Sequence, residues 1–180
     1  MRNSLILPPY SEVAKYEGQG NFAVRKYYQW PYSLFYRHKL NMILDFMHKP
    51  RYKSILDYGC GLANIFGPTL SKRTSKLVSF DKDDPEPIGK FELIVCASVL
   101  EFVDLDYTLK FLKKHLVEGG EIIGASPMTT TLSSAYLRLI GDKSKRNPHY
   151  YVLRKLNENF NSLYINEWCG LYYSFKGIDI

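Results

Sequence analysis

Residues 55–68, ILDYGCGLANIFGP, constrain the fold more than any other stretch of this chain. An apolar run that ends in an acid and passes at once into two glycines reads as a buried strand, a tight turn and a helix. Gly59 and Gly61 open backbone conformations closed to other residues, and their missing side chains let a ligand approach the main chain. In an open α/β sheet, ligands bind in the crevice beyond the carboxyl ends of the strands.

The turn departs from the dinucleotide fingerprint G-x-G-x-x-G, because Asn64 stands where the third glycine belongs. Asp57, two residues before Gly59, would repel a pyrophosphate. It suits instead the amino group of a ligand that carries an amino acid. That asymmetry favours S-adenosylmethionine over a dinucleotide.

Strands and helices alternate along the rest of the chain, which argues for a mostly parallel α/β sheet. Residues 34–48 predict a helix with Tyr36, Leu40, Ile43, Leu44 and Met47 on one face, closed by Pro50. Strands are expected at 54–58, 77–80 and 91–97, the last a continuous apolar run suited to burial on both faces. Helices are expected at 63–72 and at 107–117, the latter capped by Asp106 and ended by Gly119–Gly120. A strand at 121–125, helices at 131–140 and 149–160, and strands at 163–168 and 171–176 complete the reading, the last two as a terminal hairpin. Residues 1–33 are irregular and aromatic, with Pro8, Pro9, Gly18, Gly20 and Pro31 as breakers.

Asp81 follows the second strand, where an acid can accept hydrogen bonds from both ribose hydroxyls. With it in place, LDYGCG, FDKD, FELIVCASVLEFV and EGGEII, in this order, resemble class I S-adenosylmethionine-dependent methyltransferases of the ubiquinone/menaquinone-biosynthesis type, over roughly residues 34–127. The resemblance implies a Rossmann-like doubly wound sheet with an antiparallel C-terminal hairpin. It also implies cofactor contacts from Asp57, Gly59, Cys60, Gly61, Asp81 and Lys82, and from Ala97, Ser98 and Val99 after the fourth strand. Two family positions differ: Phe102 replaces a histidine and Ala63 the third motif glycine. Only nine residues, 82–90, separate Asp81 from Phe91, and they span at most about 30 Å. A crossover with its own helix needs about a dozen residues. The fold is therefore expected to be reduced at its third-strand edge, with that helix and strand missing. Asp83, Asp84 or Ile88 would then cover the adenine.

Methyl transfer asks mainly for alignment, because the sulfonium is already a good leaving group. An oxygen acceptor would also need a base. His149, Glu101 and His38 are the catalytic candidates, each with a plain packing or capping alternative. Tyr27, Tyr28, Trp30, Tyr32, Phe35 and Tyr36 can form a lid around a small-molecule or lipid-like acceptor, or simply pack on the sheet. The reading is one methyltransferase domain over 1–180, with 1–48 as aromatic lid and helix and 49–180 as cofactor-binding core. Leu7-Pro8-Pro9-Tyr10 lacks the polar first residue of the amino-methyltransferase box and is set aside.

No metal spacing appears among Cys60, Cys96 and Cys169, which read as buried thiols of a reducing compartment. With no signal peptide and no apolar run of membrane-spanning length, a cytoplasmic location is expected. A net charge of +6 suits an anionic partner such as nucleic acid, an acidic membrane surface or a phosphorylated substrate, but the longest basic clusters, Lys143-Ser144-Lys145-Arg146 and Lys113-Lys114-His115, are short and read equally as a solvated face. Arg25, Lys26, Arg37 and Lys39, interleaved with the N-terminal aromatics, permit an anionic lipid surface or nucleic acid. No nucleic-acid module is visible. An edge left bare by the missing strand can pair two copies into a homodimer or be covered by the N-terminus. Two rival functions stay open: a non-catalytic methyltransferase-like binding or partner-activating module, and a nicotinamide-dependent oxidoreductase.

Overall fold

A computed structural model describes residues 4–18, 24–142 and 144–179. Gly20 and Lys143 fall outside the described residues. Strands β1 (Ile55–Tyr58), β2 (Leu77–Phe80), β3 (Phe91–Ala97), β4 (Leu116–Pro127), β5 (Ser162–Trp168) and β6 (Tyr172–Ile178) form one sheet in the order β2-β1-β3-β4-β6-β5. The first four run parallel, with Ile55 opposite both Leu77 and Leu93. Strands β6 and β5 close the sheet as an antiparallel hairpin.

Alternation along the strands divides the core in two. Ile55, Leu93, Val95, Ile123 and Ala125 face one layer, which contains Leu40, Ile43 and Leu44 of helix α2 (Tyr32–Phe46) and Leu70 of helix α3 (Gly67–Ser71). Leu56, Ile94, Cys96 and Ile122 face the other. There they meet Leu109 and Leu112 of helix α4 (Leu105–Lys114) and Val152 and Leu156 of helix α6 (His149–Asn159). A short helix α1 (Tyr10–Val13) precedes α2, and α5 (Thr131–Leu139) follows β4. Among the described residues no helix is long and apolar enough to cross a membrane.

The expected reduction is present. Residues 82–90 contain neither helix nor strand, and β2 is the edge of the sheet. His115 pins this connection: its Nδ1 lies 3.0 Å from the Gly89 carbonyl and its Nε2 2.9 Å from Glu86, which also pairs with Lys114. Phe80, at the bare edge, stacks on Tyr58 and Phe111.

Three local expectations are corrected. Helix α3 starts at Gly67 rather than at residue 63, because Asn64 takes a positive φ and Pro68 has no N–H to give back to the preceding turn. The cap of α4 is Asp104, whose carboxylate accepts the Tyr107 N–H; Asp106 instead pairs with Lys155. Helix α4 ends at Lys114, capped by His115, and Gly119–Gly120 lie inside β4. There the register with β3 jumps, Phe91 facing Leu116 and Leu93 facing Glu121. The glycines thus serve a bulge rather than a helix stop. The buried-thiol expectation holds for Cys96; Cys60 is half-buried and Cys169 exposed.

Candidate functional site

The glycine turn sits where β1 delivers it, at the carboxyl end of the parallel strands. Gly59 and Gly61 have φ of +74° and +63°, in the left-handed region that disfavours side chains. The Phe80 carbonyl at the end of β2 holds the turn, accepting from Gly59 N–H at 2.7 Å and Cys60 N–H at 3.2 Å. Val99 leans on the same spot: a Cβ on Gly59 would lie 2.8 Å from its Cγ1. The turn therefore needs glycine for conformation and for space.

Asp57 lies beneath this turn, 2% exposed, and its Oδ2 is buried without a hydrogen-bond partner. Burial, and then the nearby Asp81 carboxylate, push its pKa up to about 7. An unpaired buried carboxylate is costly, and a cation would satisfy it. Asp81 is half-exposed at the end of β2. Its backbone N–H donates to Asp84 Oδ2 at 2.7 Å, and its Oδ1 accepts the Lys82 N–H at 2.7 Å. The Lys82 side chain is exposed, as are Asp83, Asp84 and Ile88. Burial and the surrounding carboxylates push the Cys60 thiol up to about 12, so it is no nucleophile at neutral pH.

A second set of groups gathers over the ends of β3 and β4. Glu101 is 3% exposed and accepts the Ser126 hydroxyl at 2.6 Å, yet burial still raises its pKa. Asn147 fixes the loop that carries it, donating from its backbone to the Glu101 carbonyl and from its side chain to those of Leu100 and Val103. Ser98, at a positive φ of 59°, accepts the Lys39 ammonium at 2.6 Å. Lys39 comes from α2 and lies 5.1 and 5.7 Å from the ring centroids of Tyr36 and Tyr172. Tyr27 packs edge-on against Tyr36, 5.0 Å between centroids.

The structure thus joins Asp57 and the Gly59–Gly61 turn with Val99, which meets Gly59, and joins Glu101 to Ser126 at the end of β4. The two histidines separate: His149 lies beside the end of β4, 6.2 Å from the Tyr173 ring, and His38 lies at the hairpin. His149 uses Nδ1 to accept the Thr129 N–H at 2.9 Å, which leaves the ring proton on Nε2 and no free base there. His38 packs on Trp168, 4.3 Å between centroids, at the hairpin edge of the sheet. Of the aromatic residues, Tyr27 and Tyr36 face the site, Phe35 meets Tyr136 and Trp168, Tyr28 meets Tyr10, and Trp30 is 76% exposed. Phe102, in the family histidine's place, lies under the Arg146 guanidinium. The basic clusters are partly spent internally, through Arg146–Asp142, Lys113–Asp179 and Lys114–Glu86. A hollow of about 550 Å3 between the N-terminal segment and α2, lined by Leu5, Tyr28 and Arg37 among others, includes none of these site residues.

Lys39, which in the sequence is one basic residue among the N-terminal aromatics, is buried beside Ser98. Its signal was positional. It follows Tyr36 by three and precedes Ile43 by four, so it lies on the buried face of α2.

No protein-family model and no curated protein matches the chain. Solved structures do resemble it. A Thermotoga maritima S-adenosylmethionine-dependent methyltransferase superposes with TM-score 0.64 at 12% identity, covering 92% of this chain and 98% of its own. Magnesium protoporphyrin IX methyltransferase from Synechocystis, solved with bound S-adenosylhomocysteine, gives 0.58 at 12%, covering 95% and 99%. An O-methyltransferase family protein from Burkholderia thailandensis gives 0.63 at 11%; the match covers 94% of this chain but only 61% of that one. The fold is therefore the Rossmann-like methyltransferase fold.

Proposed function

We propose that this chain is an S-adenosylmethionine-dependent methyltransferase acting on a small-molecule or lipid-like acceptor. The observation that carries the reading is the unpartnered, buried Asp57 Oδ2 at the foot of the glycine turn. That oxygen fits the ammonium of the cofactor's amino-acid tail, and the bare backbone of Gly59 and Gly61 leaves room beside it. Asp81, at the end of the neighbouring strand, fits the ribose hydroxyls. Ala97, Ser98 and Val99 line the other wall. A nicotinamide dinucleotide fits poorly, because its pyrophosphate would meet two carboxylates, one of which, Asp57, already has its charge disfavoured by burial and by Asp81.

When bound, the cofactor supplies a methyl group on a positively charged sulfur. The chain's own part is to align and to exclude water. Glu101 and Lys39 face the acceptor side, and the N-terminal segment through residue 48, with Tyr27 and Tyr36, acts as the lid. The order of motifs supports a place near the ubiquinone/menaquinone-type enzymes. The bare β2 edge supports pairing between two copies, which sedimentation of monomer alone would exclude.

Calorimetry with S-adenosylmethionine and S-adenosylhomocysteine tests the reading. Both should bind, and Asp57→Ala and Asp81→Ala should each weaken binding by about tenfold or more. Unchanged affinity in both variants contradicts it. Binding followed by no methyl transfer to any acceptor pool would leave a binding module in place of an enzyme.

A further inference from the structure

His115, at the end of α4, is 5% exposed, and both of its ring nitrogens meet oxygen atoms of the 82–90 connection. Nδ1 lies 3.0 Å from the Gly89 carbonyl and Nε2 lies 2.9 Å from Glu86 Oε1. A carbonyl oxygen only accepts. Glu86 is an acceptor too, because hydrogen bonds from Lys114 and from this ring hold its carboxyl below the usual carboxylate range. Two acceptors call for two hydrogens, and a neutral imidazole carries one. The two contacts therefore coexist only on the imidazolium. Glu86 supplies its counter-charge and shares itself with Lys114. Phe111 of α4 lies 4.6 Å from the ring, centroid to centroid, and is uncharged. Lys90, next to Gly89, is exposed, and Lys76 lies over the ring of Phe91, whose N–H donates to the His115 carbonyl.

The connection is held at its other end by Asp81. The Asp84 N–H donates to the Asp81 carbonyl, and the Asp81 N–H to Asp84 Oδ2. Between these two anchors there is neither helix nor strand. We propose that His115 is a proton-operated latch: as imidazolium it closes the 82–90 connection onto α4 and so positions the Asp81 turn for the cofactor, and on losing its proton it releases Gly89. The link to the cofactor rests on the methyltransferase reading; the latch itself does not. Histidine ordinarily changes charge within about pH 5–8, so the latch works in an accessible range. The neutral ring keeps its one hydrogen for the carboxylate, the stronger acceptor, and turns a lone pair on the Gly89 carbonyl. Gly89 has open space where a side chain would stand, and so has room to move away. The hold on the connection thus weakens as pH rises. Ionisation of Asp57 over the same range works the other way on an incoming ammonium, so the two effects must be separated.

The test uses the full chain with nitrogen-15 in its histidines. Ring nitrogen resonances follow the protonation of His115, and amide exchange, corrected for intrinsic rate and compared with the β3 amides, follows the connection. Relative protection within 82–90 should fall severalfold between about pH 6 and about pH 8, at the midpoint at which the ring loses its proton. His115→Gln, with no charge to lose, should be weakly protected at both values. Its dissociation constant for S-adenosylhomocysteine, divided by that of the wild type, should be severalfold above one at the lower pH and approach one at the higher; Asp57 titrates in both proteins and cancels. Should His115→Gln fail to fold, Glu86→Gln, at the exposed end of the latch, should move the ring and exchange transitions together to lower pH. Protection independent of pH, a midpoint apart from that of the ring, a His115→Gln variant as protected as the wild type, or an affinity ratio equal at both values overturns the proposal. A wild type that shows the latch transition yet binds no S-adenosylhomocysteine would strike the methyltransferase reading alone.

Discussion

Asp57→Asn should make the ligand-free protein more stable at neutral pH while weakening its hold on the cofactor. The Asp57 carboxyl is driven from its ordinary 3.8 to about 7, first by burial and then by Asp81. At about 1.4 kcal/mol per unit, a shift of roughly three units means that ionising it costs about 4 kcal/mol of folding free energy. The sign follows from proton counts. Between about pH 4 and pH 7 the folded state holds the proton that the unfolded chain has lost, so stability falls as pH rises through that window. Below pH 4 the cost vanishes, and above pH 7 it is complete. Roughly 2 kcal/mol of the loss falls between pH 5 and pH 7. The amide is nearly the same shape and never ionises, so the variant should lack this slope. Urea unfolding of both proteins across pH 5–8 reads the difference directly. Parallel stability profiles, or a variant less stable than wild type at pH 8, would refute the burden placed on Asp57. A site that costs stability when empty is what a preorganised cation seat requires.

Gly59→Ala should destabilise by about 2 kcal/mol or more and abolish cofactor binding, because the new methyl meets Val99 at a left-handed φ; thermal melts and calorimetry check both. Lys39 carries the mirror image of the Asp57 effect. Its pKa is lowered to about 8, so wild-type stability should rise by about 3 kcal/mol as pH climbs from 8 to about 10.5, where the unfolded chain still holds the proton. Lys39→Met should flatten that rise. His115→Ala should cost about 2–3 kcal/mol and speed proteolysis within 82–90, since it removes a buried ring that holds Gly89 and Glu86; urea melts and limited digestion read it.

Much of the architecture was legible because strand burial and chain length speak plainly. FELIVCA could only be a strand covered on both faces, and nine residues after Asp81 could not hold a helix and a return strand. The glycine turn was legible because its backbone demands are written in residue type. Less visible were features set by tertiary contacts. Asp104 and Asp106 offer the same side chain two positions apart, and packing decided which one caps. Gly119–Gly120 suit a helix stop and a strand bulge equally well in isolation. Residue type alone does not say that His149 accepts a backbone N–H or that His38 packs on Trp168. Lys39 escaped notice because a lysine on an amphipathic helix is normally solvated, and only the α2 packing against β4 and β6 turns it inward.

A crystal structure of the chain with S-adenosylhomocysteine addresses the cofactor site most directly. The ligand's amine should lie about 3 Å from Asp57 Oδ2, with the ribose hydroxyls on Asp81 and the backbone of residues 59–61 alongside. A ligand seated elsewhere, or bound at the turn with its amine turned away from Asp57, would contradict it.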